Sequence, residues 1–233
     1  MDDQQRNDIR RELVAIASRK YKTLKEIDTT NLDYNPYLLR LLNLNTPEEI
    51  ATFMVNQRVE RSVVTSYGFR IQNIARALSE RGTGVEGADI CKEVGGKRYY
   101  IQIKAGPNTP NKDITSTINT LLKSAMRRNQ GSVALLGMTY GTREQVSGII
   151  QSYSHIDWII GREFWGFISG DKNAYSEIFR MVKDISDHYR PNPDDLQFQE
   201  LLRVKIDSIA CQIRLKYGDG GDEMWSKLLE DNM

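Results

Sequence analysis

Two short apolar runs joined by a pair of glycines constrain this chain most. The first run begins at Ala88-Asp89-Ile90. The second, Tyr99-Tyr100-Ile101-Gln102-Ile103-Lys104, follows Gly95-Gly96. β-branched and aromatic residues with a Gly-Gly turn between them predict a β-hairpin over about 88–94 and 98–105. Twelve residues lie between Asp89 and Gln102. Pairing of the two runs brings Asp89, the Gln102 amide and the Lys104 ammonium to one end of the hairpin. An acid, a neutral oxygen donor and a cation around one point suit a divalent metal and a water. The chemistry such a set serves is phosphodiester hydrolysis.

The rest of the chain predicts a frame for that hairpin. Residues 5–20 carry Ile9, Leu13, Ile16 and Ala17 at helical spacing. Asn35-Pro36 starts a short helix through Leu42. Thr46-Pro47-Glu48-Glu49 combines a cap, a proline and two acids, with Glu49 placed for a capping box. That helix runs to about Arg81, with Gly68 as a potential break. Helix 113–128, a buried strand at 132–138, a short strand at 157–160 and a helix from 162 follow. Residues 173–189, 194–217 and 221–231 are helical by pattern. The order predicts an α/β fold with a mixed central β-sheet flanked by helices, and helical N- and C-terminal additions. One domain spans 1–233, with its core at about 35–170 and a helical segment at about 171–233 beyond Arg190-Pro191-Asn192-Pro193.

Composition excludes several classes. No apolar run approaches the ~18 residues of a membrane span, and no secretory signal opens the chain. Cys91 and Cys211 lack metal-ligand spacing, so a reduced, cytoplasmic setting is expected. With His155 and His188 the only histidines, a histidine-based nuclease site is disfavoured, and Ser or Cys nucleophiles lack a placed base. Gly82, Gly84 and Gly87 precede a strand rather than a helix and do not form a nucleotide loop. The net charge is +1, yet residues 97–128 hold Lys97, Arg98, Lys104, Lys112, Lys123, Arg127 and Arg128 against Asp113 alone. Positive charge thus gathers around the hairpin, where phosphates need neutralising.

An Asp, a β-turn and an acid-x-Lys on the next strand mark the PD-(D/E)xK nuclease superfamily. Gly84-Val85-Glu86-Gly87-Ala88-Asp89-Ile90, Tyr99-Tyr100-Ile101-Gln102-Ile103-Lys104-Ala105-Gly106-Pro107-Asn108-Thr109 and Gly161-Arg162-Glu163-Phe164-Trp165 resemble type II restriction endonucleases. Ala88 stands where the pattern has Pro. Gln102 stands where it has an acid, which removes one negative charge from the metal site.

The resemblance implies a sequence-specific double-stranded DNA endonuclease of a prokaryotic restriction-modification system, with Mg²⁺ as cofactor and Mn²⁺ as a substitute. It implies Asp89, Gln102 and Lys104 as catalytic residues and the Ile103 carbonyl as a further metal ligand. The charge missing at Gln102 points to an auxiliary acid, either Glu60 on the long helix or Glu86 beside the hairpin. Candidate DNA contacts are Asn108, Thr109, Asn111 and Lys112 after the hairpin, Arg127 and Arg128 at the end of the next helix, and Arg143 and Gln145 after the buried strand. Trp158, Phe164, Trp165 and Phe167 suit the core better than base stacking. Cutting two strands calls for two sites, hence a homodimer. The apolar faces Ile9, Leu13, Ile16 and Leu201, Leu202, Ile206, Ile209 exceed what a small core needs and suit a subunit interface. A repair or junction-resolving nuclease on the same core, or a DNA-binding module that does not cut, are the alternatives the residues leave open.

Overall fold

A computed structural model describes residues 1–79, 86–108 and 111–233, Tyr153 by its backbone alone. Elements follow in the order α1 (Asp3–Glu26), α2 (Pro36–Leu41), α3 (Pro47–Leu78), β1 (Ile90–Val94), β2 (Lys97–Lys104), α4 (Lys112–Arg127), β3 (Val133–Met138), α5 (Gly148–Tyr153), β4 (Asp157–Ile160), α6 (Arg162–Ser169), α7 (Ala174–His188), α8 (Phe198–Tyr217) and α9 (Gly221–Glu230). Short 3₁₀ turns lie at Thr29–Asn31 and Arg143–Gln145. The strands form one mixed sheet in the order β1-β2-β3-β4. β1 and β2 pair antiparallel, and β2-β3 and β3-β4 pair parallel. The α/β mixed sheet flanked by helices is the fold the sequence predicts.

Chain contacts divide the protein into two compact units. The first comprises Met1–Val14 and Tyr67–Asp184 and holds the sheet. On one of its faces α4 lays Ile118, Leu122 and Ala125 over Tyr100, Leu136 and Met138. On the other, Phe164 of α6 is fully buried against Gly137 of β3 and Ile101 of β2. β2 is therefore covered on both faces, which explains its apolar run. The start of α1 is tied to α7 by Arg6–Glu177 and Arg10–Asp184 ion pairs at 2.7 and 3.0 Å.

The second unit, Ala15–Ser66 with Ile185–Met233, is helical among its described residues. Its core gathers Leu24, Leu39, Ile50, Met54, Ile209, Ile213 and Leu228. The capping box at the start of α3 forms: the Glu49 amide donates to Thr46 Oγ1, and the Thr46 amide donates to the Glu49 carboxylate.

The boundary between the two units falls inside α1 and α3. Both helices are uninterrupted; what switches along them is the neighbour they pack against. The apolar faces assigned to a subunit interface are largely used within the chain. Ile9 and Leu13 are buried in the first unit. Ile209 is buried in the second, where Leu201, Leu202 and Ile206 pack against the same helical core.

Candidate active site

The hairpin forms as the sequence predicts. Gly95 and Gly96 both take positive φ, 57° and 75°, the conformation a tight hairpin turn needs and other residues avoid. The register pairs Ile90 with Ile101, which sets Asp89 beside Gln102. The Asp89 amide closes the ladder on the Ile101 carbonyl at 2.8 Å. Asp89 therefore enters β1 where β2 ends, at the carboxyl ends of the parallel strands, where α/β sheets place their ligands.

The Asp89 carboxylate is held from two sides. Oδ2 accepts the Ile103 backbone N–H at 2.7 Å and the Gln72 side-chain amide at 3.3 Å. Arg76 donates through Nε to the Asp89 carbonyl at 3.1 Å and brings Nη2 to 3.9 Å from Oδ1. Burial pushes the Asp89 carboxyl above its ordinary range, opposed by the Ile103 N–H and by the charges of Arg76 and Lys104. A carboxylate kept at this cost gains from any further cation placed beside it.

Gln102 is half-buried and donates from Nε2 to the Gly87 carbonyl at 3.3 Å. That bond turns its Oε1 away from Gly87 and leaves it as an acceptor. Lys104 is half-buried at the end of β2, and its carbonyl accepts the Thr139 amide at 3.2 Å. The three residues of the sequence pattern thus share one corner of the sheet.

Gln72 and Arg76 were not anticipated. They lie one turn apart on α3, on a stretch otherwise buried through Ile71, Ile74, Ala75 and Leu78. A polar pair at i, i+4 inside an apolar helix segment is the signal that marks them. Behind them stands a buried carboxylate on α1. Glu12 accepts from Arg70 at 2.9 Å and from Asn73 at 3.2 Å. Asn73 in turn accepts from Arg76 at 3.0 Å. A hydrogen-bonded chain therefore runs from Glu12 through Asn73 and Arg76 to Asp89, and it fixes the helix against the site.

The remaining candidates are placed differently. Glu60 is exposed in the second unit, in a groove with Phe53, Asn56 and Gln57; at Asp89, α3 contributes Gln72 and Arg76. Glu86 pairs with Arg128 at 2.9 Å, both exposed. The structure thus joins a candidate ligand to a candidate DNA contact. Asn111 caps α4, its Oδ1 accepting the Ile114 amide at 2.9 Å. Lys112 opens that helix and Arg127 lies in its last turn, both exposed, as is Asn108. Thr109 lies outside the described residues, as do Gly84 and Val85. Arg143 forks onto Glu163 at 2.7 and 2.9 Å and stacks 4.9 Å from the Trp158 ring centroid. Gln145 closes its own turn by accepting the Thr142 amide.

The block Gly161–Trp165 acts as a buttress. Gly161 has φ 58°, and a Cβ there would meet the Gly141 carbonyl oxygen at 2.5 Å. Phe164 and Trp165 are buried, and the Trp165 indole donates to the Thr139 carbonyl at 2.8 Å. Thr139 is the residue whose amide holds the end of β2 at Lys104.

The donor set fits a hard divalent cation. Asp89, Gln102 Oε1 and the Ile103 carbonyl are all oxygen donors. Among the described residues no group of three or more His, Cys, Asp or Glu converges on one point. One carboxylate among the described residues, with neutral oxygen donors beside it, leaves room in a divalent cation's shell for substrate oxygens.

No curated protein matches the chain. No helix among the described residues is long and apolar enough to cross a membrane. The family model of the type II restriction endonuclease EcoO109I matches residues 4–188 and so includes the whole hairpin, the buttress and the end of α3. Type II restriction endonucleases generally use divalent metal ions. The corner built by Asp89, Gln102 and Lys104 therefore sits in a chain that belongs to this family, a nuclease that hydrolyses DNA.

Proposed function

We propose that the protein is a sequence-specific, Mg²⁺-dependent endonuclease of a restriction-modification system, acting in the cytoplasm, with its active site at Asp89, Gln102 and Lys104. The observation that carries the reading is the pairing of Asp89 with the Gln102 strand position, two residues before Lys104, within the family match.

Each side chain then has a task. Asp89, the Gln102 Oε1 and the Ile103 carbonyl hold the cation, with Mn²⁺ as a substitute for Mg²⁺. The bound cation supplies Lewis acidity toward the scissile phosphate. Lys104 orients the attacking water and offsets the charge that grows on the phosphate oxygens. Arg76 and Gln72 keep the Asp89 carboxylate in place. Among the described residues the charge at the site is one carboxylate against Lys104 and Arg76, so the DNA phosphate would supply further negative charge for cation binding. Incubation of plasmid DNA with Mg²⁺ should give discrete fragments, and a chelator should stop the reaction. Preference for branched DNA would indicate a repair or junction enzyme. Intact DNA with every divalent metal would indicate a binding module.

Gln102→Glu separates the two halves of this account. It adds the missing charge, so calorimetric titration of the DNA-free protein should show tighter Mg²⁺ binding than wild type. It also sets a carboxylate oxygen toward the Gly87 carbonyl and beside Asp89, so the metal-free variant should melt at a lower temperature. Unchanged or weaker metal binding would place residue 102 outside the cation's reach.

One site per chain and two antiparallel strands call for a two-fold dimer on a near-palindromic sequence. Sedimentation should give about twice the 26.7 kDa chain mass. A monomer that nicks one strand per encounter would remove the symmetry argument.

A further inference from the structure

Outside the sheet-bearing unit, α1 and α3 wall a groove of about 530 Å³ whose lining includes Arg19, Thr23, Arg58, Arg61, Ser62 and Thr65. Its polar groups share two helix faces. Arg19 and Thr23 are one turn apart on α1. Arg58, Arg61, Ser62 and Thr65 recur at three and four residues on α3. The hydroxyls are ordered: Arg19 Nε donates to Ser62 Oγ at 3.0 Å, and Ser62 Oγ lies 2.7 Å from Thr23 Oγ1.

Several arginines of the chain are tied to acids, as at Arg6, Arg10, Arg70, Arg98, Arg128, Arg143 and Arg214. Arg58 and Arg61 are exposed, and among the described residues neither guanidinium has an ion-pair or hydrogen-bond partner. The acid in the lining, Glu26, faces Lys22 at 3.7 Å. Three guanidinium groups share the groove with one acid, Glu26, so positive charge is in excess along its lining. That arrangement serves an anion with several oxygens. Guanidinium forks and hydroxyl donors match a phosphodiester, and the polymer this nuclease acts on carries one at every step.

We propose that this groove binds backbone phosphates of duplex DNA, as a sequence-independent grip in the helical unit separate from the cleavage site. The inference rests on the reading of the chain as a DNA nuclease. It relocates part of the affinity. Of the cations first assigned to DNA from sequence, Arg128 and Arg143 are already paired with Glu86 and Glu163, whereas Arg58 and Arg61 are free to meet phosphate.

The test is fluorescence anisotropy with a labelled duplex under chelating conditions, across a salt series. R58Q/R61Q removes two charges and should lower the slope of log affinity against log salt by about 1.8, at about 0.9 per phosphate contact. At 0.1 M salt the variant should bind on the order of tenfold or more weakly. R58K/R61K restores the charges and should restore the slope. An unchanged slope and affinity in R58Q/R61Q would overturn the proposal, as would an equal loss in the Lys variant, since that loss would be structural. Wild-type protein that binds no duplex at any salt would overturn the nuclease reading together with it.

Discussion

Asp89→Ala is expected to abolish DNA cleavage, a fall of at least about 10³-fold in single-turnover rate, the upper end of what one preorganised group contributes. Among the described residues Asp89 is the one carboxylate at the site. DNA affinity should change little, because it comes mainly from phosphate contacts made elsewhere. The fold should also persist, for a reason specific to this position. The Ala variant leaves the Ile103 N–H without its acceptor, a cost of about 1–3 kcal/mol, but it also removes a carboxylate that burial disfavours. Asp89→Asn keeps an oxygen for the Ile103 N–H, so it should melt at or above the wild-type temperature while remaining inactive. Cleavage near the wild-type rate in either variant would take Asp89 out of the chemistry.

Lys104→Ala is expected to lose about 10²–10³ in rate with an unchanged melting curve, the usual cost of removing one group that stabilises transition-state charge. Its half-buried position at the edge of the site gives it a role in charge balance, not in packing. The Lys104 ammonium also opposes the rise of the Asp89 carboxyl, so without it that carboxyl should titrate higher still. The acid limb of the pH–rate profile of Lys104→Ala should therefore lie at higher pH than that of wild type. A loss below tenfold would make Lys104 an ordinary strand residue.

The sequence was most legible where one local signal sufficed. The β-branched and aromatic runs on either side of Gly95-Gly96 set the hairpin to within two residues at each end, and with it the meeting of Asp89 and Gln102. Thr46, Pro47 and Glu49 announced α3, and Gly68 did not break it because a single glycine costs only about 1 kcal/mol in a long helix. The six-residue α5 and the turn at Arg143–Gln145 are too short to show a period.

What was not legible depended on long-range contacts. The sequence points to Glu60 on the long helix, whereas only packing shows that the same helix brings Gln72 and Arg76 to Asp89. Charge along the chain marks Arg128, and the loop after the buried strand marks Arg143, as candidate DNA contacts, whereas only the fold shows that each also meets an acid 42 and 20 residues away. The two-unit division leaves no trace in composition because it falls within continuous helices.

The most direct measurement is sequencing of the ends produced from a long DNA of known sequence by the wild-type protein with Mg²⁺. The account predicts one short, two-fold-symmetric sequence at every end, cut on both strands to leave 5′-phosphates and 3′-hydroxyls. Ends scattered over unrelated sequences, or DNA left uncut by wild type, would contradict it.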